Sequence, residues 1–211
     1  TARLTVMPAP SFALLTNDLV LHLKFDGDYQ DSSGHGNSAT AMGVPTIVAV
    51  KLGSGALHYS TVLSDGVVTE ANYVMLPVSP DLQFTNGVNF SVAFWIKSTA
   101  LGGDLPFLCN NDISYNGVGL TLAPSYNLGA WSWYLNEGAG VYKQGIGRSS
   151  VVNNTLNDGA WHHLVYTFDR AGLATVYRDG VMEDETSIAA AASWNLDTGM
   201  QLLIGQAAGA Y

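Results

Sequence analysis

The stretch from Asp158 to Gly180, DGAWHHLVYTFDRAGLATVYRDG, constrains this chain more tightly than any other. Leu164, Tyr166 and Phe168 recur at every second position. Ala174, Val176 and Tyr177 follow among polar neighbours. A period of two is the mark of a half-buried β-strand, in which successive side chains leave on opposite faces. Asp169-Arg170-Ala171-Gly172 supplies a turn between the two runs, and Asp179-Gly180 supplies the next. Two strands joined this closely pair antiparallel.

The same punctuation recurs along the chain. Strands are expected at 19–25, 55–60, 73–76, 90–98, 105–110, 117–123, 130–136, 144–147 and 201–205, separated by turn clusters such as Pro80-Asp81 and Asn86-Gly87. Helix-like patches are short, a single turn at 79–82 and an alanine-rich piece at 188–192. Many short strands with no three-turn helix predict an all-β, two-sheet antiparallel sandwich. Residues 1–7 alternate and then stop at Pro8-Ala9-Pro10, since proline cannot continue a central strand.

Composition narrows the partners. Eight basic against 17 acidic residues leave a formal charge of −9, which argues against nucleic acid and anionic membranes. No apolar run approaches the ~18 residues of a membrane span, so membrane insertion is not expected. Cys109 is the single cysteine and sits in an apolar setting, which predicts a buried thiol and no internal disulfide.

Eight pieces in order resemble a laminin-G-like domain of the concanavalin A-like lectin/glucanase superfamily, the bacterial jelly-roll type. They are Leu21–Asp26 (LHLKFD), Asp31–Asn37 (DSSGHGN), Gly55-Ala56-Leu57, Tyr73–Pro77, Phe90–Ser98 (FSVAFWIKS), Asp158–Val165 (DGAWHHLV), Tyr177–Gly180 (YRDG) and Ile204-Gly205. The resemblance implies a jelly-roll sandwich over residues 11–211. It also implies one further strand after Ile204-Gly205, which this sequence lacks. Residues 1–10 resemble the last strand and linker of an upstream immunoglobulin-like domain. Together these imply an extracellular or cell-surface protein with flanking domains in the same polypeptide. In such a sandwich Trp95 and Trp161 are expected to fill the space between the sheets.

The acidic loop 25–37 is the metal candidate. Calcium wants six to eight oxygens held by a tightly turning, glycine-containing loop. Asp26, Asp28, Asp31 and Asn37 supply oxygens of the right kind. Domains resembling this one commonly hold a structural Ca²⁺ here, a role carried over chiefly to Asp26 and Asn37. The alternative is a solvated loop whose Asp and Asn side chains cap their own backbone. His162 and His163 are adjacent, point to opposite faces and cannot easily share a metal.

Catalysis by this scaffold needs two carboxyl groups aimed at one cleft. The strand pattern Glu-x-Asp-x-x-Glu that places them in sandwich glucanases is absent. Glu183-Asp184-Glu185 is contiguous after a turn, so its side chains are expected to diverge into solvent. No Gly-x-Ser-x-Gly elbow appears. No catalytic residue is assigned.

Aromatic residues remain. Trp131 and Trp133 share one face of a strand, Ser132 and Tyr134 the other, with Tyr126 and Trp194 as further candidates. Flat side chains stack on the C–H faces of sugar rings while amides and hydroxyls take the hydroxyl groups. For Trp131 and Trp133, ligand contact and core are both open. The sequence thus predicts a non-catalytic carbohydrate-binding module, its partner a polysaccharide or glycan. The alternatives are an adhesion or spacer domain with a stabilising calcium, or a glycosidase of the same fold.

Overall fold

The computed structural model describes residues 18–49, 53–64, 67–85, 87–99, 106–110, 118–125, 129–137, 144–150 and 155–206. The proposed tail at residues 1–10 and Tyr126 lie outside them. Fourteen strands are present among the described residues. The first group is β1 (Thr40–Met42), β2 (Thr46–Val48), β3 (Ala56–His58), β4 (Ser60–Ser64) and β5 (Val67–Met75). Next come β6 (Phe90–Lys97), β7 (Leu108–Cys109), β8 (Gly119–Pro124), β9 (Trp131–Glu137) and β10 (Gln144–Ser149). The hairpin strands are β11 (Trp161–Phe168), β12 (Leu173–Arg178) and β13 (Val181–Ser187), and β14 (Leu203–Ile204) is last.

Two antiparallel sheets face each other. The larger runs β1-β5-β14-β7-β8-β9-β10, with β4 also pairing β5, and the smaller runs β13-β12-β11-β6. β2 and β3 form a separate ribbon. The predicted hairpin is β11–β12, in register from Leu164 opposite Arg178 to Phe168 opposite Ala174. The next turn, Asp179-Gly180 between β12 and β13, takes positive φ at both residues, 53° and 81°, the twist that a two-residue hairpin requires.

The core lies between the sheets. Leu164, Tyr166 and Phe168 of β11 and Val176 of β12 face Leu120, Leu122, Trp131, Trp133 and Leu135 of β8 and β9. An aromatic chain crosses it from Phe84 to Phe90 (4.4 Å), to Phe168 (4.7 Å), and edge-on to Trp133 (5.5 Å). Cys109 is fully buried, as its apolar setting predicts, with Sγ 3.6 Å from Thr121 Oγ1. Arg170 is buried too. Its guanidinium Nη2 donates to the carbonyls of Ala191 and Trp194, each at 2.7 Å, and so fastens the 189–196 loop under the end of the small sheet.

The helix-like patches are 3₁₀ turns, Pro80–Leu82 capped by Ser79 and Ala189–Ala191. Residues 19–25, expected as a strand, form only a bridge between Leu23 and Asp31. The cause is local competition. The His22 N–H goes to the Asp31 carboxylate (2.9 Å) and the His22 carbonyl accepts from Ser32 (3.0 Å), so the acidic loop takes bonds that a neighbouring strand would use.

Candidate binding face and its surroundings

β8, β9 and β10 pair in a continuous antiparallel register. Thr121 lies opposite Tyr134 and Tyr134 opposite Gly147; Asn136 sits between Gly119 and Gly145, and Ser132 between Ala123 and Ser149. Residues opposite one another in such a ladder share a face. These nine positions therefore form a three-by-three grid on the outer side of the large sheet, with Tyr134 at its centre. The grid carries one aromatic ring, hydroxyls and an amide, three glycines and an alanine. It contains no acidic or basic side chain.

Glycine makes the grid's shape. A Cβ on Gly147 would collide with the Tyr134 ring, and one on Gly145 would collide with the Asn136 side-chain oxygen. Both large side chains therefore lie over a strand that has no side chain beneath them. Tyr134 is 38% exposed, its hydroxyl 3.5 Å from Ser149 Oγ.

Tyr134 is the one predicted aromatic contact that faces solvent among the described residues. Trp131, Trp133 and Trp194 are 2%, 0% and 4% exposed and belong to the core. For Trp131 and Trp133, open between core and ligand contact, the core reading holds, because their strand face meets Phe168 and the small sheet. Trp194, a further ligand candidate, is instead packed into the core from the loop after β13.

Trp95 moves the opposite way. It was expected between the sheets, yet it is 38% exposed on the outer face of β6, its ring 5.0 Å from that of His163. Trp161, half-buried, lies on that same outer side of the small sheet, since β11 buries His162, Leu164, Tyr166 and Phe168.

The acidic run also departs from expectation. A bulge falls between Val176 and Tyr177 in the β12–β13 ladder, where Val176 opposes Asp184 and Tyr177 opposes Met182. Glu183 is thereby an extra residue, and a bulge of this kind re-aims side chains. Glu183 accepts from Trp131 Nε1 (2.6 Å) and from Arg178 Nε (2.5 Å); Asp184 meets Arg148 of β10 (3.1 Å). Rather than diverging into solvent, the two carboxylates tie the edge of the small sheet to β9 and β10.

In the 25–37 loop each metal candidate has a different occupation. Asp31 accepts from the N–H groups of His22, Ser33 and Asn37 at 2.9–3.0 Å and from Ser33 Oγ at 2.8 Å. Burial pushes its carboxyl up, but these donors outweigh that and bring it to about 2. Asp26 accepts from the backbone of Ser54 and Gly55, which lowers its pKa. Asp28 caps Gln30 at 3.1 Å, and the buried Asn37 donates to the Val20 carbonyl at 2.9 Å. Among the described residues no three His, Cys, Asp or Glu side chains are grouped to hold a metal ion. In this arrangement the four side chains are engaged by partners of their own chain, the pattern of a self-capping loop.

A cleft of about 500 Å³ opens beside the start of β6 and the end of β11, lined by Asp18, Leu19, Asn89, Phe90, Ser91, Thr167, Phe168 and Asp169. Its two carboxylates are exposed, whereas a glycosidase general acid sits in a shielded pocket. Asp169 moreover accepts from Ala171 N–H (3.3 Å) within its own turn.

With two layers, jelly-roll-like pairing and these faces in place, one comparison decides the family. A laminin-G-type family described as the concanavalin A-like lectin/glucanases superfamily matches residues 68–211, more than half of the chain. The chain belongs to this superfamily. No curated protein sequence matches it.

Solved structures share this superfamily member's fold. The binding domain of Paraclostridial Mosquitocidal Protein 1 superposes with a TM-score of 0.70 at 16% identity, covering 90% of this chain and 44% of that one. A botulinum neurotoxin type C structure, described with cell entry dependent on two ganglioside molecules, gives 0.64 at 14% identity, over 92% and 44%. The serotype D ligand-binding domain in complex with N-acetylneuraminic acid gives 0.57 at 16%, over 83% and 39%. At such identities the likeness is one of fold. The chain spans less than half the length of each. No described helix is long and apolar enough to cross a membrane.

Proposed function

We propose that this chain is a non-catalytic glycan-binding module of a secreted or surface-bound multidomain bacterial protein, and that it touches saccharide through Tyr134. The observation that carries the reading is the neutral grid around that ring. An aromatic face laid over glycine offers a flat apolar surface for sugar C–H groups. Asn136, Thr121 and Ser149 stand beside it as donors and acceptors for hydroxyls. With no carboxylate on the grid, the acid-and-nucleophile carboxylate pair of an ordinary glycosidase has no counterpart there. The likeness to toxin binding domains crystallised with sialic acid or described with gangliosides supports a saccharide ligand. Calcium is no part of this reading.

A glycan array with the wild-type chain, Tyr134→Ala, Tyr134→Phe and Gly147→Ala tests it. The wild type and Tyr134→Phe are expected to bind the same sugars, because stacking needs the ring and not its hydroxyl. Tyr134→Ala loses binding at least tenfold. Gly147→Ala, which displaces the ring without removing it, weakens binding as well. A silent array for the wild type, or full binding by Tyr134→Ala, would overturn the assignment and leave a spacer domain.

A further inference from the structure

His162 is 7% exposed and sits on the inner side at the start of β11, opposite Ile96 of β6. Both of its ring nitrogens face carboxylates. Nδ1 lies 2.7 Å from Asp179 Oδ2 and Nε2 lies 3.1 Å from Asp158 Oδ1. An ionised carboxylate only accepts hydrogen bonds, and a neutral imidazole has one donor nitrogen. The two contacts can be made together only by the doubly protonated ring.

The two carboxylates have further partners that hold them in place. Asp158 accepts from Ala160 N–H at 2.7 Å in the turn before β11. Asp179 accepts from His163 N–H at 2.9 Å through its other oxygen, and it occupies the first of the two positive-φ positions of the β12–β13 turn. The ring therefore bridges two turns that are distant in sequence. From the second of these turns starts β13, which carries Glu183 and Asp184 to the opposite sheet.

We propose that His162 is a proton-operated clamp, joining the turn at 158–160 to the β12–β13 turn as an imidazolium and releasing one of them when it loses a proton. Loss of the proton leaves a lone pair facing a carboxylate, and one contact becomes repulsive. The charged groups that face the ring are Asp158 and Asp179, with Arg178 adding its field at Asp179.

The direction of the effect follows. Burial works against the charged ring, but hydrogen bonds to Asp179 and Asp158 outweigh it, so its pKa lies above the usual 6.5. A raised folded value gives a contribution that is complete below the unfolded value and is lost as pH rises through the folded one. Asp158 is held below its usual 3.8 by the Ala160 N–H and by His162. Asp179 is lowered too, its bonds to His162 and His163 overcoming the opposing effect of burial. Their contributions are present above 3.8 and fade only in stronger acid. The clamp is closed below the ring's ordinary 6.5 and opens as pH rises through its raised folded value.

The test compares thermal unfolding of the wild-type chain and His162→Gln from pH 6 to pH 9. The other four histidines are common to both proteins, so the difference isolates this ring. The wild type is expected to lose roughly 2–4 °C more than the variant over that interval, the size of one charge-assisted contact in a domain of this length. Equal pH slopes would sink the proposal. Should His162→Gln fail to fold, the ¹⁵N shifts of the wild-type ring decide. Two protonated nitrogens at pH 6.5 support the clamp, and a single neutral tautomer refutes it.

Discussion

β9 and β6 make an instructive pair. Each carries tryptophan inside an alternating run, and each tryptophan has an aromatic or aliphatic neighbour on the other face. In β9 the tryptophans go in and Tyr134 goes out; in β6 Trp95 goes out and Phe94 goes in. Residue size does not settle which face is buried. What settles it is the company each residue keeps at every second position. Trp131 and Trp133 share their phase with Leu135, against Ser132, Tyr134 and Asn136. Trp95 shares its phase with Ser91, Ala93 and Lys97, against Phe90, Val92, Phe94 and Ile96. A single large ring yields to four apolar residues.

The largest expected effect lies in this contrast. Trp133→Ala removes a fully buried ring in contact with Phe168 and is expected to cost about 3–5 kcal/mol. Trp95→Ala removes a ring that is 38% exposed and lies against His163 on the outer face, and about 1 kcal/mol or less is expected. Urea unfolding of the two variants reads both numbers. A Trp95 loss as large as that of Trp133 would break the comparison and make the outer face of β6 an internal surface.

A second contrast concerns the neighbouring carboxylates Glu183 and Asp184. Each side chain is 16% exposed, but their partners differ. Glu183 takes the indole N–H of the buried Trp131 together with Arg178, whereas Asp184 pairs with an Arg148 side chain that is half exposed. Glu183→Ala strands a buried donor and is expected to cost roughly 2–3 kcal/mol. Asp184→Ala breaks a pair open to water and is expected to cost about 0–1 kcal/mol. Chemical denaturation separates the two, and equal losses would show that the bulge does not direct Glu183 into the sandwich.

Much of this was legible from residues alone. The hairpin, its two turns, the 3₁₀ turn at Pro80 and the opposite directions of His162 and His163 follow from a period of two and from turn chemistry. The strand of Tyr134 and its partition into two faces were legible as well. The choice between those faces was open, because a strand's pattern does not say which side another sheet will cover. The phase of Trp95 was in the sequence, in Ser91, Ala93 and Lys97, and weighing those neighbours would have found it. Glu183 could not be found that way. Its direction depends on a bulge, one residue of slippage that shifts every later side chain to the other face. The grid likewise needs the register of three strands, and strand pairing between β8, β9 and β10 is not written in any one of them.

The smallest effects separate Asp31 from Asp28 within one loop. Asp31 holds three backbone N–H groups and a hydroxyl, whereas Asp28 caps a single turn. A carboxyl lowered from 3.8 to about 2 contributes stability that is present above 3.8 and lost as pH falls through about 2. Full linkage would make this about 2.5 kcal/mol, and solvent screening reduces it to roughly 1–2 kcal/mol. Asp31→Asn should therefore destabilise the domain at pH 7 and flatten its acid limb between pH 4 and pH 2, while Asp28→Ala changes either by only about 0.5 kcal/mol or less. Because the oxygens of Asp31 face N–H and O–H donors, its loss should be the same in calcium as in chelator. A larger loss in calcium would mean that these oxygens turn toward a cation, and the loop would then be a metal site after all.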